Sequence, residues 1–112
     1  MSSKAIKAKC LTALQLLTRM KAADDNGYAQ CVTCGKKDHY KELQGGHFIP
    51  RAHSKWSLDQ RNVWSQCRYC NLWGMKSGGT AAQAYTVFMI DMFGKDFVDE
   101  MIRTKSEPVK LY

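Results

Sequence analysis

The sequence predicts an α+β protein: a small core of a strand hairpin and a helix, stapled by a metal and flanked by N- and C-terminal helices. Three observations predict it. Two CxxC pairs, Cys31/Cys34 and Cys67/Cys70, bracket a stretch with two short strand-like runs. A long run with apolar residues at three- and four-residue spacing precedes that stretch, and two shorter ones follow it. The chain's 112 residues suit a single domain, whose modest core a metal would reinforce. Within it, residues 1–27 read as an N-terminal helix, 28–79 as the metal-framed core and 80–107 as C-terminal helices.

The first helix is expected over residues 3–23, where Ile6, Cys10, Ala13, Leu14, Leu17 and Met20 form one apolar stripe. Ser2 or Ser3 can cap its start, and Asn26-Gly27 can end it in a left-handed turn. Cys10 falls on the stripe and is expected to pack as a small buried hydrophobe. Lys4, Lys7, Lys9, Arg19 and Lys21 lie mostly off the stripe, as a solvated face or a contact to a nucleic-acid backbone.

Five cysteines is an odd number. The N-terminus has lysines but no apolar stretch behind them, so an intracellular, cytoplasmic chain is expected, in which paired CxxC motifs bind metal. Two thiolates separated by two residues reach one tetrahedral ion, and Gly35 permits the tight turn that follows. Cys31, Cys34, Cys67 and Cys70 together are read as a structural Zn²⁺ site. Cys10 is left over.

Between the pairs, residues 40–49 have strand character interrupted by Gly45-Gly46, and Pro50 ends the run. Residues 51–60 form a polar, basic loop, residues 61–66 a second strand, and Cys70-Asn-Leu-Trp73 opens a helix. Gly74–Gly79 is a connector, and Thr80-Ala-Ala-Gln83 matches a capping box. A helix is expected through about Met92 with Ala84, Val87, Phe88 and Met92 on its core face. Gly94 breaks it. A last helix over 96–104 uses Phe97, Val98, Met101 and Ile102, and the tail after Pro108 is expected to be loosely held.

The net charge is +7 and uneven: residues 1–80 hold 13 Lys and Arg against 5 Asp and Glu, and residues 81–112 hold 4 against 5. Such a basic face suits a polyanion, nucleic acid being the commonest inside cells, although surplus lysine also serves solubility. The longest apolar run, Val87 to Ile90, is far too short to span a bilayer, so no membrane partner is expected.

His47 and Asn71 carry the chemistry in this reading. Imidazole can take a proton from water near neutral pH, and an asparagine carbonyl oxygen is a hard ligand suited to Mg²⁺. Beside a phosphodiester, Mg²⁺ can stabilise developing charge. A histidine and a hard ligand on a basic surface therefore suggest phosphodiester hydrolysis.

The run LQGGHFIPR…LDQRNVWSQCRYCN, with its framing CxxC pairs and the later Tyr85 and Gly94, resembles the HNH (ββα-metal) endonucleases, and most closely the phage recombination nucleases of the NinG/Rap type. The likeness covers roughly residues 28–95. It implies that His47 is the general base, that Asn62 braces the hairpin and the base, and that Asn71 binds a catalytic Mg²⁺ or Mn²⁺. The cysteines would then be structural only. Many such enzymes place an Asp or His ligand just before the base, where this chain has Gly46. The resemblance further implies DNA, branched in particular, as substrate, a homodimer as a plausible state, and a bacterial host's cytoplasm as the location. Arg51, His53, Lys55, Arg61, Arg68 and Lys76 are the candidate phosphate contacts. A non-catalytic zinc module that binds DNA or a protein is the competing reading; it would not need His47.

Overall fold

The computed structural model describes residues 2–76 and 79–108. Helix α1 spans Ser3–Ala22, with the Ser2 hydroxyl accepting from the Ala5 amide as its cap. Strands β1 (Tyr28–Gln30) and β2 (Lys37–His39) form a small antiparallel hairpin around the first cysteine pair. A second antiparallel hairpin joins β3 (Gln44–His47) to β4 (Val63–Gln66), with His47 opposite Val63 and Gly46 opposite Trp64. The short helix α2 (Ser54–Ser57) and a 3₁₀ turn over Gln60–Asn62 interrupt the long connection between them. After β4 the chain turns at the second cysteine pair into a π-helix over Cys70–Gly74. Helices α3 (Thr80–Phe93) and α4 (Lys95–Arg103) follow, broken apart by Gly94 at φ 87°. Among the described residues no helix is long and apolar enough to cross a membrane.

Two apolar clusters hold these pieces. One consists of Cys31, Cys67 and Cys70 with Ala29, Leu43 and Ala81, so the cysteine cluster is itself a core. The other packs Tyr85, Met89, Val98 and Met101 of α3 and α4 under Ile49 and Trp56 of the loop after β3. The Trp56 indole donates to the Thr104 hydroxyl at 3.2 Å, tying that loop to the end of α4.

Several expectations need correcting. Most of the stripe predicted to bury α1 faces solvent, Leu14 excepted: Ile6 is 50%, Leu17 53% and Met20 48% exposed, and Cys10 is exposed with them. Leu11, Leu14, Gln15 and Thr18 are the half-buried side. The reason is a backbone approach. A Cβ on Gly45 would lie 2.8 Å from Cα of Gln15, so α1 seats on β3 where the glycine leaves room, and that register overrides the wider apolar stripe. Likewise α3 buries Ala81, Tyr85 and Met89, whereas Val87 and Met92, predicted as core, are 60% and 49% exposed. Ile102 of α4, also predicted as core, is 42% exposed. The capping box does not form: Gly79 occupies the cap, and Thr80 is already helical. The β1–β2 hairpin and α2 were not anticipated. Ser77 and Gly78 of the predicted connector, and the tail beyond Pro108, lie outside the described residues.

Candidate functional site

The four CxxC cysteines converge as the sequence predicts. Their sulfurs all lie within 4.8 Å of one another, Cys34 Sγ and Cys67 Sγ being 3.7 Å apart, and the set is positioned to bind a metal ion. The Cys70 amide points at Cys67 Sγ at 3.4 Å, as the knuckle turn requires. Burial works against ionising the Cys31 thiol, but hydrogen bonds from Thr33 and nearby amides outweigh it and bring the thiol down to about 6. Burial, with neighbouring thiols and the charge of Cys31 adding to it, pushes Cys70 up to about 12. Four sulfurs crowded in this way share one need, a divalent cation, and an all-thiolate tetrahedral set fits structural zinc.

Thirteen residues after the first pair, His47 closes β3. Its Nε2 lies 2.8 Å from the backbone carbonyl oxygen of Ser57 at the end of α2. The ring is half-buried, and burial, with the nearby positive charge of Arg51 adding to it, holds its pKa below the ordinary imidazole value while the Ser57 carbonyl pulls the other way. Strand alternation puts Gly45 and His47 on one face and Gly46 on the other. A Cβ at Gly46 would run into the side-chain amide of Gln66, and the Gly46 carbonyl accepts from the buried Tyr85 hydroxyl at 2.7 Å. Position 46 thus has no room for a side chain, and one there would point away from His47.

Asn62 is fully buried and satisfied on every side. Its Oδ1 accepts from the Ile49 amide at 2.7 Å, and its Nδ2 donates to the carbonyls of Ile49 and Trp56 at 2.9 and 3.1 Å. Its own carbonyl accepts from the Phe48 amide at 2.9 Å. One side chain therefore fastens the backbone just after His47 to the helix that supplies the Ser57 carbonyl.

Asn71 sits in the first turn after the second cysteine pair, and the Cys67–Cys70 turn sets its position. Its Nδ2 donates to Gln44 Oε1 at 2.7 Å, which leaves Oδ1 available. His47 and Asn71 line one open cavity of about 690 Å³, together with Gln15 of α1, Arg51, Leu72, Thr86 and Lys105. Among the described residues no carboxylate lines it, whereas Arg51 and Lys105 do. With two cations and a neutral amide oxygen on its lining, the cavity suits an anionic ligand.

The other predicted contacts divide. Arg51 reaches the cavity. Arg68 and Lys76 are exposed on either side of the π-helix, Lys76 with its ammonium 4.4 Å from the Trp73 ring centre. Lys55 pairs with Glu107 at 2.9 Å. Arg61 is engaged within the fold, forking onto Asp59 at 3.0 and 2.7 Å and stacking 4.7 Å from the Phe97 ring. His53 opens α2, half-buried, and is not among the cavity's lining residues. The sequence reading missed Gln15, Gln44 and Lys105. Lone polar residues at a helix middle, a strand start and a chain end carry no spacing signal that could have flagged them.

Fold and site together define a small α+β protein built on a four-cysteine cluster positioned to bind a metal ion. The chain belongs to the NinG family: the family model described as the bacteriophage lambda NinG protein matches residues 6–111. No curated protein and no solved structure matches it significantly.

Proposed function

We propose that the chain is a metal-dependent DNA endonuclease of the HNH type, acting on branched recombination or replication intermediates in the cytoplasm of a bacterial host. One observation carries the catalytic reading, the 2.8 Å contact between His47 Nε2 and the Ser57 carbonyl oxygen. A carbonyl can only accept, so Nε2 holds the ring proton and Nδ1 keeps its lone pair. Burial favours the neutral ring over the imidazolium. His47 is then a base whose tautomer and orientation are set before any substrate arrives.

In this reading Nδ1 takes a proton from water, the resulting hydroxide attacks phosphorus, and the bond to the 3′ oxygen breaks to leave a 5′ phosphate. Mg²⁺ or Mn²⁺ held by Asn71 Oδ1 would supply charge stabilisation at the phosphate and the departing oxygen. Arg51 and Lys105 hold the phosphate's charge, and Asn62 keeps the segment after His47 fixed. Zn²⁺ on the four cysteines would hold the π-helix that carries Asn71. Two cuts per junction favour a homodimer, for which the exposed apolar side of α1 offers a surface.

The competing reading, a zinc module that binds DNA or protein without cleaving, uses the same cysteines and cations but assigns His47 no task. His47→Ala separates the two. With linear, branched and single-stranded DNA and added Mg²⁺, the nuclease reading expects wild-type cleavage and a variant that binds equally well but does not cut. Absence of Mg²⁺-dependent cutting by wild type on the whole panel would leave the binding module standing.

A further inference from the structure

On the π-helix, Tyr69 is 70%, Leu72 45% and Trp73 57% exposed, whereas Cys70 and Gly74 are buried. Tyr69 and Trp73 stand four residues apart, close to one turn of this wider helix, which brings their side chains to nearly the same side, with Lys76 against the Trp73 ring. This side therefore faces solvent with two aromatic rings where a soluble surface would ordinarily be polar. The segment from Arg68 to Lys76 carries those two cations and no acid. Leu72 and Asn71 line the cavity that holds His47, so the helix that carries the rings also borders the candidate active site.

We propose that Tyr69 and Trp73 form a stacking platform for unpaired bases of a nucleic-acid strand whose phosphates are held by Arg68 and Lys76. The inference rests on the nucleic-acid part of the proposed function and deepens it by naming what the site reads. Every base offers a flat face to an aromatic ring, whereas in an intact duplex those faces are covered by neighbouring bases. A platform beside the cavity thus favours strands whose bases are already unstacked, at a branch point or in a single-stranded segment, without reading sequence. The flanking cations distinguish this occupant from an apolar peptide, which has no use for them. Lys76 holds its ammonium 4.4 Å from the Trp73 ring centre, which puts a cation beside the ring on which a base would stack.

Binding without Mg²⁺ tests the platform separately from cleavage. Oligothymidylate, a blunt duplex and a four-way junction serve as probes, with fluorescence anisotropy for affinity and tryptophan emission for contact. Wild type should bind oligothymidylate and the junction more tightly than duplex, with quenching of tryptophan emission. Trp73→Ala and Tyr69→Ala should each weaken oligothymidylate binding by roughly fivefold to a hundredfold and leave duplex binding nearly unchanged. Trp73→Phe should restore affinity while losing the quenching. Equal loss on duplex and single strand, or no loss on either, overturns the proposal. So does a change in sedimentation of the free protein on Trp73→Ala, which would make this side a contact between copies of the chain. Selective stacking without any Mg²⁺-dependent cutting would uphold the platform and sink the nuclease reading.

Discussion

Asn71 and Gln44 are joined amide to amide, Nδ2 of the first donating to Oε1 of the second at 2.7 Å. An amide offers a donor on one side and an acceptor on the other, so this bond determines which way the Asn71 oxygen points. Gln44 begins β3 and Asn71 begins the helical turn after the cysteine pair. Their bond ties the hairpin carrying His47 to the segment carrying the proposed metal ligand.

Gln44→Leu should therefore let the Asn71 amide turn over. A hydrogen bond of this kind is worth about 1 kcal/mol, so the Mn²⁺ concentration at half-saturation, read by electron paramagnetic resonance, should rise roughly fivefold. Gln44→Glu keeps an acceptor in place and should bind the ion at least as well as wild type. Equal Mn²⁺ affinity in wild type and the Leu variant would show that Gln44 does not orient the ligand.

The pH dependence follows from His47. Only neutral imidazole can act as the base, and burial and the Arg51 charge hold its pKa below the ordinary value of 6.5. The acid limb of the cleavage profile should accordingly fall below that value. Arg51→Gln removes a charge that disfavours the imidazolium, so the limb should move to higher pH while maximal cleavage also drops. The same shift has a sign for stability. Below the unfolded-state value the unfolded chain takes up this proton first, so the contribution is full above that value and is lost as pH falls through the lower folded value. An acid limb above the ordinary imidazole range would contradict the assignment of His47.

Asn62 gives the sharpest stability prediction. Asn62→Ala leaves the Ile49 amide and the carbonyls of Ile49 and Trp56 without their partner, in a place closed to water. The cost should be about 3 kcal/mol in urea denaturation. Because the lost bonds fasten the backbone after His47, cleavage should fall even at temperatures where the variant is folded. A variant as stable as wild type would mean that water reaches the site.

Much of this was legible in the chain. The cysteine pairs announced their own convergence, because CxxC geometry is local and leaves few alternatives. His47 and Asn71 stood out by their offsets from Gly45-Gly46 and Cys70. The orientation of α1 was not legible. Most of its apolar stripe faces solvent, because docking is decided by a glycine thirty residues away that lets the helix backbone come close. Helical periodicity reports how apolar each side is, and cannot report which side a distant strand has room for. The pairing of Arg61 was not legible for a related reason: its charge suits phosphate, and only the turn shows that Asp59 two residues earlier holds it.

Metal removal should separate the cysteines by role. Cys31→Ser or Cys67→Ser breaks a four-sulfur set that also forms one of the two apolar cores, so zinc content should fall from one per chain and the fold should loosen, at a cost of several kcal/mol. Cys10→Ser, at an exposed position, should change neither. Mass spectrometry under native conditions and thermal unfolding check both. Full zinc occupancy in Cys67→Ser would refute the four-cysteine assignment.

Gly46→Asp asks whether a carboxylate can be restored beside the base. By spacing alone it should create a second metal ligand next to His47. The geometry says otherwise, because strand alternation points position 46 to the face opposite His47, where the Gln66 amide already fills the space. The aspartate would have to displace Gln66, which is buried and donates to the Thr33 hydroxyl at 3.1 Å, and would bring an unpaired charge beside the Tyr85 contact. The expected result is a loss of about 3 kcal/mol or more of stability, with no gain in Mn²⁺ affinity. Tighter Mn²⁺ binding by a folded Gly46→Asp variant would show that position 46 can reach the cavity after all, and that the single-asparagine metal site is incomplete.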